Sequence, residues 1–279
     1  MIPDITSSIQ ASPGAIGIFD SGIGGLSVAL KVREALPAED IIYVADSAHA
    51  PYGEKSTAYI QDRSHAIADF LVEKGIKALV VACNTATVST IADLRERYSF
   101  PIIGVEPGVK PATFQSSSGV VGVLATTQTL NSNAFADLTA RFSGDVEVIL
   151  QPCPGLVERV ESLHFGSDET EDLLRTLIYP LLDRGADHIV LGCTHYGFVE
   201  PAIRKIVGPS VEVINTDAAI AREVARRLDL ENLLSNTNSS DFQQPSSGVE
   251  FFYTSGNASL VTEQVSHLWG KSVLVQKVF

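Results

Sequence analysis

Two stretches of this chain read alike. Residues 78–87 (ALVVACNTAT) and 187–196 (DHIVLGCTHY) each carry a short apolar run that stops at a small residue and a cysteine, and the two cysteines, Cys83 and Cys193, lie 110 residues apart. Each run is rich in Val, Ile or Leu and lacks an alternating polar face, which is how a parallel strand covered on both sides reads. Both thiols are then expected just past the carboxyl end of a buried strand, the edge of an open α/β sheet where ligands bind. A pair of equivalent thiols in two similar halves is the strongest constraint in the sequence.

The remaining pattern extends this frame. Strands are predicted at 15–19, 41–45 and 101–105 around the Cys83 strand, and at 119–124, 146–150 and 211–214 around the Cys193 strand, with helices between them. Such βα alternation predicts largely parallel sheets with right-handed crossovers. The fold class is therefore α/β, with two similar lobes, each a mostly parallel sheet flanked by helices, and the site in the cleft between them. At 279 residues the chain is long enough for two ordinary cores. After a Ser/Asn/Gln-rich loop at 231–248, a strand at 249–253, a helix at 258–269 and a last strand within 271–279 are expected to pack back on the first lobe. The first lobe is thus drawn as 1–107 plus 218–279, with 1–14 a flexible tail, and the second as 108–217.

Composition excludes several functions. A formal net charge of −13 disfavours nucleic acid and anionic membranes, because phosphate neutralisation needs clustered Lys and Arg. No apolar run reaches the length of about 18 residues that a membrane helix needs, and the start reads as neither signal peptide nor anchor. Three cysteines without a CxxC pair fit a reducing compartment, so a cytoplasmic location is expected, and they provide no structural zinc pattern.

The candidate chemistry lies at the strand ends. The turn Asp20-Ser21-Gly22-Ile23-Gly24-Gly25, with Asp46 further on, admits three readings: a dinucleotide fingerprint lacking its third glycine, a bare tight turn, or a substrate-binding turn whose free N–H groups face the pocket. Taken singly, either Cys83 or Cys193 is a core filler or a catalyst. Paired at strand ends before helices, whose N-terminal dipoles lower a thiol pKa from about 8.5 toward neutrality, they read as reactive. Cys153, between prolines, reads as structural. His195 has no second ligand pair around it, so an acid-base or orienting role suits it better than a metal. Asp20 and Glu161 read either as ordinary exposed acids or as partners of the site.

These residues fall within longer motifs: GIFDSGIGGLSV at 17–28, ADSAHAPYGEKS at 45–56, VVACNTAT at 80–87, GVEPGVKPA at 104–112, CPGLVERVE at 153–161 and LGCTHY at 191–196. In this order they resemble the glutamate racemases of the cofactor-independent aspartate/glutamate racemase superfamily. The resemblance implies interconversion of L- and D-glutamate with no cofactor and no metal, supplying D-glutamate for peptidoglycan. It implies Cys83 and Cys193 as the two acid/base residues, with Asp20, His195 and Glu161 in support. Around the substrate it places Asp20, Ser21, Pro51, Tyr52, Gly53, Asn84, Thr85, Thr194 and His195. No Arg falls in these motifs, so backbone N–H groups and short polar side chains are expected to hold both substrate carboxylates. A related substrate such as aspartate, or a non-catalytic two-lobed amino-acid-binding protein, is the alternative. A homodimer is compatible with the chain. The departures from the family pattern, at the tail, the GLVER segment and the 231–248 loop, spare the site residues named above.

Overall fold

The computed structural model describes residues 14–235 and 247–279, so almost all of the expected tail and the body of the 231–248 loop lie outside the described residues. One sheet is built from β1 (Ala15–Asp20), β2 (Ile41–Ala45), β3 (Ile76–Val81) and β4 (Ile102–Gly104). A second follows from β5 (Val120–Ala125), β6 (Glu147–Pro152), β7 (His188–Gly192) and β8 (Glu212–Ile214). The last strands, β9 (Glu250–Thr254) and β10 (Val275–Lys277), return to the first sheet. The strand orders are β10-β9-β2-β1-β3-β4 and β6-β5-β7-β8. Every ladder is parallel, as the βα alternation predicts.

Continuous apolar runs form these strands because both faces are covered. In β1, Ile16 and Ile18 enter one apolar cluster with Val28 and Val32, whereas Ala15 and Phe19 enter another with Ile60, Ile67 and Leu71. Full burial of each large side chain contributes about 1.5–3 kcal/mol, so a polar residue on either face would be strongly selected against. The covering helices are α1 (Leu26–Ala35), α2 (Thr57–Glu73) and α3 (Asn84–Arg97) on the first sheet. α4 (Val109–Gln115), the short α5 (Thr127–Leu130), α6 (Asn133–Phe142), α7 (Leu156–Glu161), α8 (Asp168–Asp183) and α9 (Glu200–Val207) surround the second. α10 (Asp217–Leu230) packs on α1 and α11 (Ala258–Trp269) joins the same core.

Three elements differ from the sequence reading, among them the short α5, a separate helical turn ahead of α6 that the sequence reading did not give. α4 went unpredicted because Gly108 and Pro111 bracket its start, and the stretch after Cys193 is a 3-10 turn, Thr194–Val199, before α9 begins at Glu200. No described helix is long and apolar enough to cross a membrane.

Candidate active site

The two cysteines occupy matching places in the two sheets. Phe19 of β1 pairs with Val81 of β3, and Leu124 of β5 pairs with Leu191 of β7. Two residues beyond Val81 and Leu191 stand Cys83 and Cys193. On the other side of β1 and β5, the pairs Asp20–Ala45 and Ala125–Pro152 put Asp46 and Cys153 at a second matching place. The carboxyl edges of both sheets meet, and Cys83 and Cys193 line one cavity. Its volume is about 10 Å³, room for roughly one water, so the halves are closed on each other.

Of the other residues read from the sequence, Ser21, Pro51, Tyr52, Gly53, Asn84, Thr85, Thr194 and His195 share this wall. Asp20 and Glu161 do not, and stand behind it. Asp20 is fully buried; its Oδ1 accepts from the Gly22 N–H at 2.9 Å and its Oδ2 accepts from the Thr194 hydroxyl at 3.0 Å, across the interface of the halves. The Ser21 hydroxyl lies between Asp20 Oδ1, at 3.5 Å, and Cys83 Sγ, at 3.8 Å. Glu161 Oε1 returns the crossing: it contacts His195 Nε2 at 2.6 Å and accepts from the Ile23 N–H of the first half at 2.9 Å. His195 Nδ1 in turn stands 3.7 Å from Cys193 Sγ.

The glycine-rich turn serves neither a dinucleotide nor a free-amide cradle. Its Gly22 and Ile23 N–H groups are taken by Asp20 and Glu161. A Cβ on Gly22 would stand 1.9 Å from Glu161 Oε1, and one on Gly24 would stand 2.3 Å from His195 Nδ1. The missing side chains let the carboxylate and imidazole of the second half press against the first. Sequence alone could not show this, because the partners lie about 140–170 residues away.

The electrostatics also correct one expectation. Cys83 caps α3, its sulfur accepting from the Ala86 N–H at 3.4 Å. A dipole-lowered thiol was expected, but burial and the negative charge of Asp20 outweigh the helix and push Cys83 up to about 12. Burial likewise raises Asp20, against the pull of His195 and the Gly22 N–H. For His195, burial acts downward, yet its contacts with Cys193 and Glu161 win and raise it well above its usual value. Burial thus favours the protonated thiol of Cys83 on one side, and the contacts with Glu161 and Cys193 favour the charged form of His195 on the other.

Two wall residues were missed by sequence reasoning. Thr126 follows β5 as Ser21 follows β1, and its Oγ1 meets Thr85 Oγ1 at 3.0 Å; the strand-end position was its only signal. Val157, on α7, also lines the cavity and looks like an ordinary core residue in the sequence. Cys153 is buried and its thiol donates to the Gln151 carbonyl at 3.3 Å, which suits a structural part.

Residues 16–224 match the family model described as Asp/Glu/Hydantoin racemase. The chain belongs to this racemase family. It is 47% identical over 262 residues to a glutamate racemase of Stutzerimonas stutzeri, a match that covers 94% of this chain and 96% of that one. Among solved structures it resembles a glutamate racemase isoform of Bacillus anthracis, with a TM-score of 0.85, 31% identity and coverage of 95% and 97% of the two chains. It also resembles Escherichia coli glutamate racemase in complex with L-glutamate and an activator, UDP-MurNAc-ala, with a TM-score of 0.81, 32% identity and coverage of 95% and 98%. Membership in the racemase family agrees with the parallel two-sheet α/β fold.

Proposed function

We propose that this chain racemises glutamate by moving a proton at the α-carbon between two cysteines, without a cofactor. One observation carries the reading: thiols from register-matched strand ends of two sheets open into a single cavity, each backed by its own polar support. Inversion requires removal of the α-hydrogen from one face and return of a proton to the other, so one base on each face meets the need. The lobes in this reading are 1–107 plus 218–279 and 108–217, which places Cys83 in the first and Cys193 in the second.

Burial keeps the proton on Cys83, and His195, whose charged form Glu161 favours, stands beside Cys193. Cys193 takes the α-proton of one enantiomer while Cys83 returns a proton to the opposite face; for the other enantiomer the parts exchange. Asp20 acts on the Cys83 side by charge and through Ser21, and also fixes Thr194. The side chains of Asn84 and Thr194 each already hold one protein partner and that of Thr85 holds two, Thr126 and Thr129, so their remaining hydrogen-bonding capacity is fixed in direction before substrate arrives. Such preorganised donors stabilise charge developing on the substrate carboxylate. Glutamate is the substrate that the close relatives' names support, with D-glutamate going to peptidoglycan. The three free cysteines and the acidic composition support a cytoplasmic site of action.

The test is polarimetry of L-glutamate incubated with purified protein and no added cofactor. The rotation is expected to decay to zero, and from D-glutamate to the same end point. A rotation that stays constant, with protein shown to be folded, would refute the reading.

A further inference from the structure

The wall segment Pro51–Gly53 sits in an irregular turn, with only a 3-10 turn at Tyr52–Glu54. Loops that line a site are positioned by the rigid scaffold around them. Here the holding group is Asp46, one residue past the end of β2 and fully buried. Its Oδ2 accepts from the Tyr52 hydroxyl at 2.5 Å, and its two oxygens accept from the Arg63 guanidinium of α2 at 2.7 and 3.0 Å. The outer face of that guanidinium lies 5.2 Å from the centroid of the Phe279 ring. One carboxylate thereby joins a strand end, the cavity turn and a helix.

The second half shows that the sheet itself does not require this clamp. At the matching place after β6 stands Cys153, whose thiol donates to the Gln151 carbonyl at 3.3 Å and neighbours the Tyr196 hydroxyl, in place of a carboxylate–guanidinium pair. The backbone link is the same in both halves, from Asp46 N to Asp20 O at 3.0 Å and from Cys153 N to Ala125 O at 3.1 Å. What differs is the segment that follows: an irregular turn carries the wall after β2, whereas after β6 the wall residue Val157 sits in the regular helix α7.

Resting on the proposed racemase reading, we infer that Asp46 and Arg63 are positioning residues that fix Tyr52, and through it the Pro51–Gly53 wall, in the shape that receives the substrate. Neither touches the cavity, so their action runs through Tyr52. A planar fork on a carboxylate is not replaced by a lysine ammonium, which keeps the charge and loses the geometry. A wall that receives the substrate equally in its ground and transition states acts on KM rather than on kcat.

The experiment measures kcat, KM and thermal midpoint for Arg63→Gln, Arg63→Lys and Tyr52→Phe beside the wild type. KM for glutamate is expected to rise about tenfold or more in Arg63→Gln and about threefold in Arg63→Lys, with kcat kept within about threefold. Tyr52→Phe is expected to raise KM as Arg63→Gln does. An unchanged KM in Arg63→Gln would overturn the inference. So would a fall in kcat that tracks a lowered thermal midpoint while KM stays constant, since that is the signature of a structural pair. If the wild type shows no turnover, the racemase reading fails and this inference falls with it; wild-type turnover with KM unmoved in the variants removes this inference alone.

Discussion

Cys83 shows how burial and charge set the state of a reactive group. The helix N-terminus that it caps favours a thiolate, and the closed cavity with Asp20 beside it disfavours one more strongly. With the thiol pushed up to about 12, its thiolate fraction at pH 8 is on the order of one in ten thousand. The sign is that of an acid raised by folding: the proton stays bound through neutral pH and leaves only as pH climbs toward 12. In substrate-free protein carrying ¹³Cβ-labelled cysteine, the Cys83 resonance is therefore expected to stay constant from pH 6 to about pH 10. A titration midpoint below pH 9 would show that the helix dipole dominates instead. The positions of both cysteines were legible in the sequence, but the sign of this shift was not, because it depends on what closes over the sulfur.

At the scale of elements, the strand-to-helix turn after β1 is the part that joins the halves. Gly24 lies where a Cβ would meet the His195 ring at 2.3 Å, and the contact is with a ring held at its far nitrogen by Glu161. Neither partner is a flexible chain end, so Gly24→Ala must displace His195 or part the halves. Turnover is expected to fall by about 10²-fold or more, as for loss of an acid-base group, while far-ultraviolet circular dichroism is unchanged. Activity within a few-fold of wild type would show that the close approach is dispensable. The strands and most helices could be read from the sequence because continuous apolar runs and 3.6-residue spacing report burial locally. α4 could not, since Pro111 interrupts its pattern. The purpose of Gly22 and Gly24, and the wall positions of Thr126 and Val157, depend on the other half of the molecule and leave no mark within their own segments.

At the scale of the whole molecule, two parallel sheets with matching strand order present their carboxyl edges to one another. Asp20 reaches across to Thr194 and Glu161 reaches back to the Ile23 N–H, so the same carboxylates that support the thiols also hold the cleft shut. A cavity of about 10 Å³ is too small for a five-carbon diacid, so the cleft must widen to receive glutamate. The central claim is that both thiols act on one carbon from opposite sides. It is tested most directly by measuring racemisation of L- and of D-glutamate by Cys83→Ala and by Cys193→Ala, with the thermal midpoint as a check on folding. The account predicts that each variant folds and loses about 10²–10⁴-fold or more in turnover with either enantiomer. Near wild-type racemisation by either variant would contradict it.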